Sequence, residues 1–404
     1  MINMIENRIL RFHPSRQPVA FHSRIIGAGS VRKALIYLAF SFLTAALPNL
    51  AAADSVVEKP FGKTDKDEPV ALYTMTNKHG MSVSIITYGA AVQKLVVPDR
   101  DGKLADIVLG FDDISGYLDP KKDPHFGATI GRYGNRIAKG QFTLDGHQYQ
   151  LPINDPPNSL HGGDLGFDRL VWKANVISDD PPTITFTHIS PDGEEGYPGT
   201  LKATVRYTLT EDNQMKIYFT ATTDKPTVVN LTHHSYFNLA GQGNGTILDN
   251  LVTIKADAYT PVDSTLIPTG EIKKVEGTPM DFRKPTAIGD RIQQVGGKPI
   301  GYDHNYVLND PDDGVRLIAT VEDPKSGRVM HVYTDQPGVQ FYSGNFLDGT
   351  VTGKDGKVYQ QYYAYCFEPQ HFPDSPNQPK FPSTVLKPGD TYHCSISYGF
   401  SVAK

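Results

Sequence analysis

Five short stretches of this chain combine imidazole, guanidinium or carboxylate groups with aromatics and glycine. They are Gly131-Arg132-Tyr133-Gly134-Asn135-Arg136, Asn158-Ser159-Leu160-His161-Gly162-Gly163, the run Asn230–Asn238 containing His233-His234-Ser235-Tyr236, Gly301-Tyr302-Asp303-His304-Asn305, and Phe367–Asp374 containing Glu368. Aromatic faces cover the C–H faces of a pyranose while charged and amide groups bond its hydroxyls, so this mixture suits a sugar site. Metal binding is the rival for the histidines. His233 and His234 are adjacent, and on a strand they point to opposite faces, so only one enters a given cleft. No close-spaced Cys/His set supplies the remaining ligands, and no metal is expected. Asp303 and Glu368 could flank a glycosidic bond as the two carboxylates of a glycosidase, which leaves His161 and His234 without roles. A non-catalytic carbohydrate-binding module is a further alternative, and the presence of both His234 and Glu368 speaks against it. His331 and His371 read as ordinary core or surface histidines. Asp374, Asp281 and Glu194-Glu195 read as solvated or turn carboxylates.

The elements that position these groups are strands. Gly 37 and Pro 30 are 67 of 404 residues, about 17%, against a usual ~12%. That excess disfavours a helix bundle and favours many short strands joined by turns. Period-2 alternation recurs at Leu201, Ala203, Val205, Tyr207 and Leu209; at Met215, Ile217, Phe219 and Ala221; at Val329, His331 and Tyr333; and at Tyr392, Cys394, Ile396, Tyr398 and Phe400. Turn signals separate the runs, among them Asp145-Gly146, Asp192-Gly193 and Asp355-Gly356. One short amphipathic helix is predicted at Ala287–Val295, with Ile288, Ile292 and Val295 on one face. The reading is all-β: a large antiparallel β-sandwich with little helix, one domain over residues 54–404. Gly241, Gly243 and Gly245 do not join a strand to a helix, so they make no dinucleotide fingerprint, and no P-loop, HExxH or GxSxG motif occurs. The acid-rich Asn309–Gly314 carries Pro311 where a calcium loop needs an oxygen ligand, and reads as a turn.

Residues 1–53 stand apart. Arg32-Lys33 precede the uncharged Ala34–Ala53, which begins ALIYLAFSFLTAAL and closes with Ala51-Ala52-Ala53 before Asp54. A basic region, an apolar region and a small-residue site make a signal peptide, with cleavage near Ala53-Asp54 and a secreted or periplasmic product. An uncleaved anchor is the alternative, since 20 residues can span a bilayer, but Pro48 and Asn49 shorten the apolar part. The segment ahead of Arg32 is long for an n-region; a true start nearer Val31 would make it ordinary. Removing the six bases and one acid of residues 1–53 takes the formal charge from −5 to −10. That balance argues against nucleic acid and against stable membrane association of the mature form. Two cysteines exclude a disulfide scaffold; Cys366 and Cys394 read as buried free thiols, with a disulfide as the alternative.

In order along the chain, GRYGNR, NSLHGG, LTHHSYFNLAG, GYDHN, VQFYSGNFLDG and FEPQHFPDSPNQP resemble the aldose 1-epimerases, or galactose mutarotases, from about Thr74 to the C-terminus. The resemblance implies a β-supersandwich with an open sugar cleft, no cofactor, and interconversion of the α and β anomers of free monosaccharides; a monomer is the default reading. It makes His234 the catalytic acid and Glu368 the catalytic base. Asn135, Arg136, His161, Asp303 and Gln340 become sugar-binding residues, and Ser235 and Tyr236 flank the acid and shape the site. The position before the acid, often Asn in relatives, is His233 here; Ser235-Tyr236-Phe237 sets the register in favour of His234. Mutarotation needs a proton delivered to the ring oxygen as the anomeric hydroxyl loses one, which an acid and a base on opposite sides of the hemiacetal perform together. Glu368, with a reference pKa of ~4.3, is expected ionised, and His234, at ~6.5, is expected protonated with help from a nearby carboxylate. A phosphosugar substrate would want extra cations, and none cluster beyond Arg132 and Arg136.

Overall fold

A computed structural model describes residues 56–311 and 313–403. The reading of residues 1–53 as a signal peptide therefore lies outside the described residues. Strands dominate, and the three larger sheets are antiparallel throughout. The largest has nine strands in the order Lys173–Asp179, Pro182–Ser190, Leu201–Leu209, Gln214–Thr223, Tyr392–Val402, Arg328–Thr334, Arg316–Glu322, Leu251–Ile254 and Thr286–Ala287. A five-stranded sheet runs from Val56 to Asp106 in simple meander order. A second five-stranded sheet is ordered Lys273–Lys274, Ala258–Tyr259, Asp303–Val307, Gly338–Tyr342, Cys366–Gln370.

One continuous apolar core joins all three. It takes Met75, Val83 and Leu95 from the first meander, Val205, Phe219 and Ile396 from the nine-stranded sheet, and Tyr306, Phe341 and Phe367 from the second five-stranded sheet. This is the β-sandwich expected from alternation. The Leu201–Leu209 and Gln214–Thr223 strands bury the residues the pattern named. The Arg328–Thr334 strand does not: Met330 and Val332 are fully buried, while His331 and Tyr333 face outward. Here both faces carry apolar residues, so period-2 counting fixes the strand but not which face is inside. The predicted helix at Ala287–Val295 is also corrected. A single turn at Ile288–Asp290 and a short helix at Ile292–Val295 are separated by Arg291 in a non-helical conformation, although Ile288 and Ile292 are buried as anticipated.

The second five-stranded sheet carries the chemistry. Its register aligns Asp303 with Tyr342 and Cys366, Asn305 with Gln340 and Glu368, and Val307 with Gly338 and Gln370. Side chains two residues apart share a face, so these three rows form one surface. The opposite surface is aromatic: Phe341 stacks on Phe367 at 4.9 Å and lies 5.4 Å from Tyr302 and 5.5 Å from Phe282. A greasy face thus anchors a polar one. The Thr232–His234 strand pairs with Ala128–Ile130, and just beyond it Phe237 and Tyr365 exchange backbone hydrogen bonds, laying this segment alongside the Cys366–Gln370 strand. Cys366 and Cys394 are buried and unpaired. Among the described residues no helix is long and apolar enough to cross a membrane.

Candidate active site

His234 Nε2 lies 3.6 Å from Glu368 Oε1, with both side chains almost completely buried. The functional atoms of His161, His234 and Glu368 all fall within 4.8 Å of one another. The His234 ring stacks on Tyr236 at 5.1 Å and meets His161 edge-on at 5.2 Å. Tyr236 is itself held, because its hydroxyl donates to Pro124 O at 3.1 Å. It shapes the site through its ring. Ser235 does not belong to the cleft: it is fully buried and its Oγ bonds His233 Nε2 at 2.7 Å. The alternation that sends His233 away from His234 sends Ser235 with it. His233 is a core residue whose pKa burial pushes down to about 3.

The two Gly-rich motifs meet as a small ladder, Ser159–Leu160 against Arg136–Ile137. Asn135 and His161 both adopt left-handed backbone, with φ of 60° and 51°. They lock each other: Asn135 N–H donates to His161 Nδ1 at 3.1 Å, and His161 N–H donates to Asn135 O at 3.0 Å. Because Nδ1 accepts, the proton of a neutral His161 ring sits on Nε2. Burial holds this ring well below the usual histidine pKa. Gly162 completes the turn at φ 98°, where a Cβ would sit 2.0 Å from Gly131 O. Asn135 Oδ1 accepts from Arg136 N–H at 2.8 Å.

Arg136 Nε donates to Asp155 Oδ2 at 2.7 Å. Its two terminal nitrogens have no hydrogen-bond partner among the described residues. Gln340 Nε2 donates to Asp303 Oδ1 at 2.7 Å, while Gln340 Oε1 and Glu368 Oε2 are buried without partners. Arg136 and Asp303 also line a cleft of about 730 Å³, whose other walls include Leu266, Pro299 and Phe346. Phe346 is 53% exposed, an aromatic face on open solvent. Arg136 and Asp303 connect this cleft to the His234–Glu368 pair, since both line it and both act electrostatically on Glu368. Arg132 is not available to a ligand, since its guanidinium donates to Ser190, Pro191, Pro198 and Gly199 carbonyls. Beside Arg136, Lys298 is the other cation lining the cleft.

The electrostatics correct one expectation. Burial pushes Glu368 well above the usual carboxylate range, and Asp303 adds to the rise against the opposing pull of Arg136. Burial likewise pushes His234 well below the usual histidine value. At 3.6 Å the pair's attraction does not offset the loss of water around both charges. Both shifts favour the uncharged arrangement, carboxylic acid beside neutral imidazole, over carboxylate beside imidazolium. The cluster of two imidazoles and a carboxylate resembles a ligand set for a cation. However, the Arg136 charge acts on both His161 and Glu368, which opposes a second positive charge there.

Two further corrections concern residues read as bland or missed. Asp374 is buried, not solvated. Its carboxylate accepts from Ala138 N–H, Asn377 and Gln378, and its own N–H donates to Arg136 O at 2.8 Å. It clamps the segment that delivers Arg136. His371 is a satisfied buried histidine, as anticipated, with Nδ1 3.0 Å from Gln336 Oε1. His125 was not singled out, yet its ring lies 4.8 Å from His161 and 5.9 Å from His234. A lone histidine in a loop carries no pattern that would mark it.

Such a fold and cleft define an enzyme that moves protons on a polyhydroxylated ligand. Comparison with known proteins narrows the class. The profile of the family described as aldose 1-epimerase matches residues 71–399. Galactose mutarotase of Rattus norvegicus is 51% identical over 323 residues, covering 80% of this chain and 92% of the relative. Aldose 1-epimerase of Escherichia coli K12 is 37% identical over 337 residues, covering 82% and 96%. The crystal structure of an aldose epimerase homologue from C. elegans superposes with a TM-score of 0.76 at 32% identity, covering 83% of this chain and all of that one. The chain belongs to the aldose 1-epimerase family.

The Asp374 clamp gives a first test. Asp374→Asn replaces one carboxylate oxygen by NH₂, so either Ala138 N–H and Asn377, which donate to Oδ1, or Gln378, which donates to Oδ2, then faces a donor. Chemical denaturation should show a loss of about 1–3 kcal/mol. Steady-state kinetics on an aldose should show a raised KM as Arg136 shifts. An unchanged KM would separate Asp374 from Arg136.

Proposed function

We propose that the protein interconverts the α and β anomers of free aldoses by opening and reclosing the pyranose ring, with Glu368 as base and His234 as acid. The observation that carries this reading is the buried His234–Glu368 pair, 3.6 Å apart, with Glu368 Oε2 unpartnered. Galactose and glucose are the proposed substrates; galactose is named in the mammalian relatives. Glu368 takes the proton of the anomeric hydroxyl while His234 supplies one to the ring oxygen. The open aldehyde turns about its C1–C2 bond and recloses on the other face. Arg136, Asn135, His161, Asp303 and Gln340 hold the remaining hydroxyls. No covalent intermediate is needed. A monomer is the proposed state. The glycosidase alternative is less well supported. Glu368 contacts His234, whereas Asp303 aligns with Cys366 in the neighbouring row and already accepts from Gln340.

The proton distribution is compatible with this assignment. Carboxylic acid with imidazole, and carboxylate with imidazolium, are two arrangements of one shared proton. A sugar hydroxyl donating to Glu368 Oε2 favours the carboxylate, and with it transfer of the proton to His234. Each positioned acid or base contributes ~10²–10⁴-fold.

Residues 1–53 support export to a periplasmic or extracellular space, and mass spectrometry of the mature N-terminus should find Asp54 first. Retention of Arg32 would remove that reading. Glu368→Gln and His234→Asn should each nearly abolish anomer exchange in polarimetry while unfolding transitions stay close to wild type. Near-wild-type rates for Glu368→Gln would remove it from the role of base. The pH profile tests the shared proton. Independent groups at reference values would be active only between ~4.3 and ~6.5. Here activity is lost in acid when the pair takes a second proton, which the lowered His234 value moves below ~6.5. It is lost in base when the last proton leaves, which the raised Glu368 value moves upward. The basic limb of the profile should therefore not follow an ordinary imidazolium; a basic limb that stays near ~6.5 in wild type would remove the shared-proton reading.

A further inference from the structure

We propose that His125, oriented by Asp168, is a further sugar-contacting residue that shares one hydroxyl with His161 and contributes to the choice among aldoses. This rests on the aldose reading given above. His125 Nδ1 lies 2.8 Å from Asp168 Oδ2, and Asp168 is buried, with Arg169 Nε 3.4 Å from the same oxygen. A carboxylate accepts only, so His125 Nδ1 carries a proton and the free edge of the ring is Nε2. No described residue bonds that nitrogen. The ring sits at the open side of a trio of imidazoles, 4.8 Å from His161 and 5.9 Å from His234. Its side chain is 19% exposed where that of His234 is 6%.

The two outer rings present opposite polarities. His161 Nδ1 accepts from the Asn135 backbone, so its Nε2 donates. His125 Nδ1 donates to Asp168, so Nε2 of the neutral form of the ring accepts. The two rings touch edge to face, with centroids 4.8 Å apart, and a hydroxyl seated against both Nε2 atoms, beside the rings and not between them, accepts from one and donates to the other. The segment bearing His125 is held independently of any ligand, through Tyr236 to Pro124 O and through Gly127 N–H to His234 O at 3.0 Å. A packing residue needs neither a buried carboxylate at one nitrogen nor a part-exposed, unpartnered nitrogen at the other.

The test compares wild type, His125→Ala and His125→Asn on galactose and its 2-, 3-, 4- and 6-deoxy analogues. Anomer exchange is followed by NMR and binding by calorimetry. His125→Ala should raise KM and Kd for galactose about tenfold, the loss of one good hydrogen bond. Its kcat should stay within about twofold and its melting temperature unchanged, with partial recovery in His125→Asn. One deoxy analogue, poor with wild type, should bind wild type and His125→Ala equally, because the contact is already missing. An unchanged Kd for galactose would overturn the proposal, as would a uniform loss across all analogues with a lowered melting temperature. A wild type that binds galactose without exchanging its anomers would sink the functional reading instead, and the Kd ratios would still decide His125.

Discussion

A carboxyl and an imidazole held 3.6 Å apart, both stripped of water, constrain everything around them. Neither ionises readily there, because desolvation penalises each charge more than the partner rewards it. The protein tolerates this because one proton serves for both groups. It also leaves acceptors unsatisfied at Glu368 Oε2 and Gln340 Oε1, a cost of about 1–3 kcal/mol each in an apolar interior. Hydroxyls of a bound sugar are what would relieve that cost. These acceptors favour a ligand that brings hydroxyl donors over an apolar one.

Two kinds of scaffold hold the groups in place. Asp303, Gln340 and Glu368 stand on adjacent antiparallel strands whose other face is packed with aromatic rings, so their spacing is set by the sheet register. Asn135, His161 and His125 stand on loops at φ of 60°, 51° and 70°. Left-handed backbone costs roughly 1–2 kcal/mol for a residue with a Cβ. Reciprocal hydrogen bonds between Asn135 and His161, and the Asp168 carboxylate at His125, offset it. The carboxylate proposed as base sits on the stiffer scaffold, and the loop groups proposed to bind hydroxyls sit where backbone conformation can turn a side chain toward them.

This division explains what was legible in the residues alone. Strand content was readable from Leu201–Leu209 and Gln214–Thr223, where one face is apolar and the other is not. The inner face of Arg328–Thr334 was not, because Val329 and Tyr333 are as apolar as Met330 and Val332. The convergence of His161, His234 and Glu368 follows from motif resemblance, whereas no spacing rule could show that positions 161, 234 and 368 meet. Ser235 was misplaced by its neighbourhood, although the alternation that removed His233 should have removed it as well. Asp374 looked solvated because a Pro-rich, acidic stretch resembles a surface turn. Its burial follows only from the tertiary approach of Ala138. His125 is invisible for a related reason: its role depends on Asp168, 43 residues away.

The same geometry bears on why one pair suffices for both anomers. An epimerase opens a ring from either face and closes it on either face, so a site tuned to one direction would slow the other. Asp303 raises the Glu368 pKa and Arg136 lowers it, and neither dominates over burial. With the fixed charges opposed, the energy of moving the shared proton is set mainly by what the ligand offers. A hydroxyl donating to Glu368 draws the proton toward His234; as Glu368 takes the hydroxyl proton, His234 passes its own to the ring oxygen, and the pair again holds one proton. The pair follows the substrate through ring opening and then through closure. A permanently charged imidazolium facing a permanently charged carboxylate would have to give up that charge separation at every transfer.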